Sequence, residues 1–188
     1  MKNYKATLKS LPSSPYSQGR HYEVEKLAKE GHADYEKRTW RNRMHVDANG
    51  EVFVPCMSFK NCLSEAAKFI SMSVPGKGKS TFTKHFEAGV MVLTHMPLGI
   101  KASEVQGESL FVPSSGIRGD GKRVTKIFPI IHEWSGSIIV NVVDETITQD
   151  VLTKHLIEAG NIIGLGRFRP RNNGYYGRFT VISVDEVG

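Results

Sequence analysis

The chain has 188 residues, 39% of them hydrophobic, with nine Phe, six Tyr, two Trp and a formal net charge of +6. That composition supports a sizeable core and excludes a disordered chain, and no run approaches the roughly 18 apolar residues of a membrane span. An isoelectric point near 9.3 points to a polyanionic partner rather than a membrane.

In chain order, MKNYKATLKSLPSSPYS lacks the apolar run of about 7 to 15 residues that marks a signal peptide, so a mature, intracellular, cytoplasmic protein is expected. Within it, Tyr4, Ala6 and Leu8 alternate with Lys5, Thr7 and Lys9, the period of a half-buried strand. A Pro/Ser loop then leads into HYEVEKLAKEGHADYEKRTWRNR, a charged stretch without an apolar stripe. We read it as an insertion at about 12–48 with some helix, partly ordered by a partner. MHVDANGEVFVP predicts two short strands around a turn in which Asn49 and Gly50 supply positive φ. SFKNCLSEAAKFI predicts a helix with Ser58 as N-cap and an apolar stripe of Phe59, Cys62, Leu63, Ala66, Ala67, Phe69 and Ile70. The two cysteines, Cys56 and Cys62, stand six apart without a neighbouring Cys or His pair, and read as buried thiols rather than zinc ligands.

After the Gly/Lys loop SVPGKGKST, the segment GVMVLTHMPLGI predicts a strand ending near Pro97. Residues 102–123 form a second insertion with a glycine-rich, basic tip, SSGIRGDGKR. KIFPIIHEW and GSIIVNVVD read as strands, the second a central one. Thr148 caps a helix, TQDVLTKHLIEAG, with Gly160 as its C-cap. The closing segment RFTVISVDEV sets Phe179 and Val181 on one face and Ile182 and Val184 on the other, and a strand apolar on both faces belongs inside a sheet. The order strand, helix, strand, strand, helix, strand predicts an α+β, ferredoxin-like or RRM-like fold. Its antiparallel sheet carries two helices on one face, in one domain over 1–188 with two long insertions. The other face is left free, and it is there that RNA-recognition domains stack bases.

Residues 164–179, GLGRFRPRNNGYYGRF, combine four glycines, four arginines and four rings with no acid. Arg167, Arg169, Arg171 and Arg178 suit phosphate oxygens, Phe168, Tyr175 and Tyr176 suit unpaired bases, and Asn172 sits among them. Phe179 reads as core. The glycines are expected to let backbone approach a ligand and to offer main-chain amides to phosphates. In VPCMSFKNCLSEAAKF a strand ends in Pro and a helix begins with Ser58 and Lys60, where free amides and a cation converge on an anion. A third cluster, YEKRTWRNR, sets Arg38, Arg41 and Arg43 around Trp40, either as a stacking and charge surface or with Trp40 anchoring the insertion. At the second insertion's tip, Arg118, Lys122 and Arg123 add to the basic surface.

Together, VPCMSFKNCLSEAAKF and GLGRFRPRNNGYYGRF resemble two segments of the RAMP superfamily of CRISPR-associated RNA-binding proteins. These are an Ile-Pro-x-Ser-Ser-Leu-Lys-Gly type stretch before the first helix and a glycine-rich loop after the second. The resemblance covers about 35 residues plus the element order, and departs from the family at Asn61, where it has Gly, and at Cys56 and Met57. It implies that Ser58, Lys60 and the 164–178 loop contact RNA. It also implies that backbone subunits line up along single-stranded RNA, with 102–123 as a thumb reaching a neighbour. The departures leave open a phage or mobile-element relative that binds single-stranded DNA, or an inhibitor imitating a backbone subunit.

SVPGKGKST fails as a P-loop, because Ser73 stands where the pattern needs a Gly. Some RAMP relatives cut RNA with a histidine, and His21 beside Tyr22 is the candidate base for such a ribonuclease. His155 reads as a packed core histidine, and His132, followed by Glu133 at the end of a strand, has no metal-ligand spacing. No catalytic set, metal or cofactor emerges. The expectation is a non-catalytic protein that binds single-stranded RNA, or single-stranded DNA, and self-associates along it, with other CRISPR-complex subunits as further partners.

Overall fold

The computed structural model describes residues 1–117, 119 and 121–188. The alternating first segment forms β1, Lys2–Ser10, with Tyr4, Ala6, Leu8 and Ser10 turned inward. There follow β2 (Tyr16–Ser17), α1 (His32–Thr39), β3 (Glu51–Val54), α2 (Cys56–Ile70), α3 (Thr83–Gly89), β4 (Val90–Val92), β5 (Met96–Lys101) and β6 (Gln106–Pro113). The chain finishes with β7 (Arg123–Ile131), β8 (Ser135–Val142), α4 (Gln149–Glu158) and β9 (Phe179–Val187). The main sheet runs β4-β8-β1-β9 with every neighbouring pair antiparallel, which is the ferredoxin-like order expected.

One face of that sheet is covered by α2 and α4. Phe59, Cys62, Leu63, Ala66 and Ala67 of α2 and Leu152, His155 and Leu156 of α4 are all buried against it. Burying each large apolar side chain contributes about 1.5–3 kcal/mol, so this stripe fixes the helices far more firmly than propensity does. Thr148 caps α4 as expected, accepting from the amide of Val151. The opposite face carries Asn3, Lys5, Thr7 and Lys9 of β1 and Ser137 and Ile139 of β8. That face is free, as expected, and among the described residues of these strands it carries no ring on which a base could stack.

Several local expectations are corrected by geometry. The helix of VPCMSFKNCLSEAAKF begins at Cys56 with Pro55 as N-cap, so Ser58 lies within the first turn, and Phe69 is exposed. In the Asp-Ala-Asn-Gly turn only Gly50 has positive φ, at 78°, and Asp47 accepts from the amides of Asn49 and Glu51. The strand before the turn shrinks to a single bridge, Val46 to Val52, and β3 takes β5 as its partner. GVMVLTHMPLGI divides between two sheets, because β4 joins the main sheet and β5 joins β3.

Gly160 is not a C-cap. The helix continues into a π-helical turn, Ala159–Ile163, and Gly160 packs against Phe179 so closely that a Cβ would meet the Phe179 carbonyl oxygen at 2.1 Å. Finally, β9 is an edge strand rather than an internal one. Its pairing slips between Ser183, opposite Thr7, and Val181, opposite Leu8, leaving Ile182 as the extra residue of a bulge. The bulge returns Phe179, Val181 and Val184 to one side, so apolar residues at both parities serve one buried face.

Candidate nucleic-acid interface

GLGRFRPRNNGYYGRF leaves the π-helical turn and folds back on itself. The amide of Leu165 donates to the carbonyl of Gly177 and that of Tyr176 to Phe168, both at 2.9 Å. The amides of Arg167 and Gly177 donate to the carbonyls of Ser17 and Pro15, so the loop extends the short β2 segment. A Cβ on Gly174 would lie 1.8 Å from the Phe168 carbonyl oxygen, and one on Gly177 1.9 Å from that of Leu165. These glycines therefore let the loop close on itself. The amides of Leu165, Arg167, Asn172, Gly174, Tyr176, Gly177 and Arg178 already donate within the protein, so these are not offered to phosphates.

The loop faces the hairpin of β6 and β7 across a cleft of about 860 Å³. Arg43, Arg123, Lys126 and Arg167 line it together with Phe111, Phe128, Phe168, Asn172 and Asn173, and no carboxylate is among the described lining residues. Arg43, Arg123, Arg167, Phe168 and Asn172 were expected from sequence. Lys126 and Phe128 were not, because KIFPIIHEW reads as a core strand. The i, i+2 spacing that sets both on one side of β7 is the signal that could have found them.

Arg167 is the centre of the cleft. Its guanidinium carbon sits 3.2 Å from the centroid of Phe128 and 4.7 Å from that of Phe168, while Arg43 lies 4.9 Å from the same Phe128 ring. The two cations differ in their partners. Arg43 forms a bidentate, buried pair with Glu36 at 2.9 and 3.0 Å and donates to the carbonyl of Ile127. Arg167 has no carboxylate partner among the described residues, and its Nη1 is buried with no hydrogen-bond acceptor. Burial, then the nearby Arg43 charge, lower its pKa to about 10, so it stays charged at neutral pH. A charge left desolvated without a counter-ion is costly to the fold, and an incoming anion removes that cost.

The remaining expected residues lie elsewhere. Lys60 donates to Ser64 and to the carbonyls of Phe86 and Glu87 at the end of α3, and its burial lowers its pKa. Ser58 is half-buried in α2. Arg169 and Arg171 both face Glu65 of α2, at 2.8 and 3.7 Å, and Arg178 donates to the Asn161 carbonyl. Tyr176 is buried with its hydroxyl donating to Glu108, whose proximity, after burial, raises the phenol's pKa, whereas Tyr175 is exposed. Trp40 is buried between Arg41, 4.2 Å from its ring, and Gly107 of β6, so it anchors its segment and presents no face for stacking. Arg38 pairs with Glu30 at 2.7 Å. Lys122 is exposed beside a neighbouring cleft, and Arg118 lies outside the described residues.

Among the histidines, His155 is fully buried and stacked on Phe86 at 4.1 Å, as a core histidine. Cys62 is buried, with its thiol pushed up to about 12 by desolvation, and Cys56 is only half-buried. Among the described residues, no group of three or more His, Cys, Asp or Glu is placed to hold a metal ion, and no helix is long and apolar enough to cross a membrane.

A scan against protein-family models finds no match, and no curated protein matches the chain. Among solved structures, the chain is similar to a chain in the cryo-EM structure of the Type III-B Cmr-beta bound to cognate target RNA, with a TM-score of 0.53 and 12% identity. The similarity covers 99% of this chain and 60% of that one, so this chain spans about 60% of that neighbour's length. At this identity the likeness is one of fold.

Proposed function

We propose that this protein binds single-stranded RNA in the cleft between the glycine-rich loop and the β6–β7 hairpin, as a RAMP-type backbone subunit of a CRISPR-type ribonucleoprotein. The observation that carries the reading is Arg167: a desolvated, unpaired guanidinium stacked on Phe128, in a cleft lined by three further cations and no carboxylate among the described residues. A phosphate supplies the missing counter-charge, and Phe168 and Phe111, both exposed, offer rings to unstacked bases. The fold shared with a chain of an RNA-bound CRISPR complex supports RNA as the ligand and a CRISPR assembly as the context. In this reading the chain is one RAMP-like domain, copies line up along the strand with the hairpin as the thumb, and no bond of the RNA is cut.

The test is fluorescence anisotropy with labelled single-stranded RNA and DNA of matched sequence over a salt series. Wild type is expected to lose affinity steeply with salt, and Arg167→Ala to weaken RNA binding at least tenfold, the loss of about 1.4 kcal/mol that one charged hydrogen bond can account for. Unchanged affinity in Arg167→Ala overturns the assignment of the cleft. Tighter binding of DNA than RNA overturns the choice of strand.

A further inference from the structure

A second cleft, of about 670 Å³, opens beside the first and shares Arg43, Gly116 and Lys126 with it. It runs between the hairpin and the segment leading into α1. Arg20, Lys122 and Lys126 line it, and two histidines, His21 and His32, join them. Glu36 is its one described carboxylate, and that is buried and held on both oxygens by Arg43. The rings there are occupied. Tyr22 lies under Arg43 with its hydroxyl shared with Thr39, and Tyr35 lies under Lys26 and Arg38. The first cleft combines charge with the exposed rings of Phe111 and Phe168, whereas the rings of the second, Tyr22 and Tyr35, are only partly exposed.

The histidines are held differently. His32 places Nε2 3.0 Å from the Thr125 carbonyl oxygen on β7, so Nε2 carries the hydrogen and Nδ1 is the atom that takes up a further proton. The other described charges around it are Asp34 on its own helix, Lys122 and Lys126 from the hairpin, and the Glu36–Arg43 pair. His21 lies beside Arg20 and 3.5 Å from Glu23, and both members of the His21–Glu23 pair are largely exposed. A phosphodiester entering this cleft meets two imidazoles beside Arg20, Lys122 and Lys126.

We propose that the second cleft is a phosphate subsite for the same polyanionic strand, and that its affinity is linked to protonation of His21 and His32. The proposal rests on the reading of the first cleft as the RNA site. The strand passes from Arg167 across Arg43 and Lys126 to the histidines, so that backbone phosphates, rather than bases, occupy the second cleft. A phosphate beside an imidazole favours the imidazolium over the neutral ring. Affinity is then higher at pH 5.5 than at pH 8.0, the range over which imidazoles as a class change charge.

The test is anisotropy with a labelled 12-nucleotide oligouridylate over a salt series at pH 5.5 and pH 8.0. The proteins compared are wild type, Arg167→Ala and the double variant His21→Gln/His32→Gln, each checked by thermal melting. In wild type the logarithmic salt slope is expected to be steeper at pH 5.5 by about 1.4, the increment for two more neutralised phosphates on a single strand. The double variant is expected to bind like wild type at pH 8.0 and to lose that increment at pH 5.5. Arg167→Ala is expected to weaken binding at both pH values and keep the increment. Equal slopes in wild type at the two pH values, or an increment that survives in the double variant, overturn the proposal while leaving the first cleft standing. Absence of oligouridylate binding at either pH overturns both.

Discussion

Arg43 and Arg167 share one ring and have opposite roles, and the difference comes from a single carboxylate. Glu36 accepts both guanidinium nitrogens of Arg43 and the amide of Ile127, which ties α1 to the middle of β7. Breaking a buried pair leaves an uncompensated charge and costs about 3–5 kcal/mol. Glu36→Ala is therefore expected to lower the melting temperature by about 6–20 °C, at about 2–4 °C per kcal/mol for a chain of this size, and a drop under 2 °C by calorimetry refutes that role. Asp144 is one residue whose pairing makes stability depend on pH in the acid range. The Thr146 hydroxyl, and then His85 at 2.6 Å, hold its carboxyl down at about 2, below the usual 3.8. The stabilisation is full above about 3.8 and disappears as pH falls through about 2. Asp144→Asn is expected to melt several degrees below wild type at pH 7, with the gap closing toward pH 2, and a gap independent of pH contradicts the assignment.

At the scale of elements, the glycine-rich loop is a closed, hydrogen-bonded unit, and in the proposed RNA-binding reading it presents Arg167 and Phe168 to the hairpin. Gly177 needs both its φ of 73° and the space a Cβ would take from the Leu165 carbonyl, whereas Gly50 has φ of 78° with nothing within 4 Å. The two separate backbone strain from steric clash. Gly50→Ala is expected to cost about 1–2 kcal/mol from its left-handed backbone alone and to leave RNA affinity intact. Gly177→Ala is expected to cost more and to weaken RNA binding as well, as chemical denaturation and anisotropy can measure. Equal stability losses with unchanged binding would sink the view of the loop as a presenting frame. The hairpin follows the same logic: Lys126 and Phe128 face the cleft because β7 pairs with β6 in a register that sets Leu110 opposite Lys126.

For the whole molecule, the charge of +6 is distributed unequally in effect. Lys5 and Lys9 stand on an open sheet face without rings, while the cleft concentrates Arg43, Arg123, Lys126 and Arg167 around exposed and buried phenylalanines. If the cleft is the site, Lys5→Ala/Lys9→Ala is expected to change RNA affinity by no more than about threefold, since each counts only as a distant, screened charge. A larger loss, measured at 150 mM salt, would return the interface to the sheet face.

The alternation in NYKATLKSL, the stripe of α2 and the Thr148 cap are local features, and from them the sequence by itself determined the element order and the ferredoxin-like plan. Each depends on residues two to four apart, where side-chain direction follows from backbone period. The loop's richness in Arg and Gly was legible in the same way. Which arginines are free was decided only by tertiary structure. Glu65 lies 104 positions from Arg169 and Glu36 lies seven from Arg43, while nothing acidic among the described residues reaches Arg167. The bulge that returns Val181 and Val184 to one face of β9, and the pairing that brings Phe128 beneath Arg167, likewise depend on long-range register. Charge pairing and strand register are properties of distance in space, and the sequence order of these residues does not contain that distance.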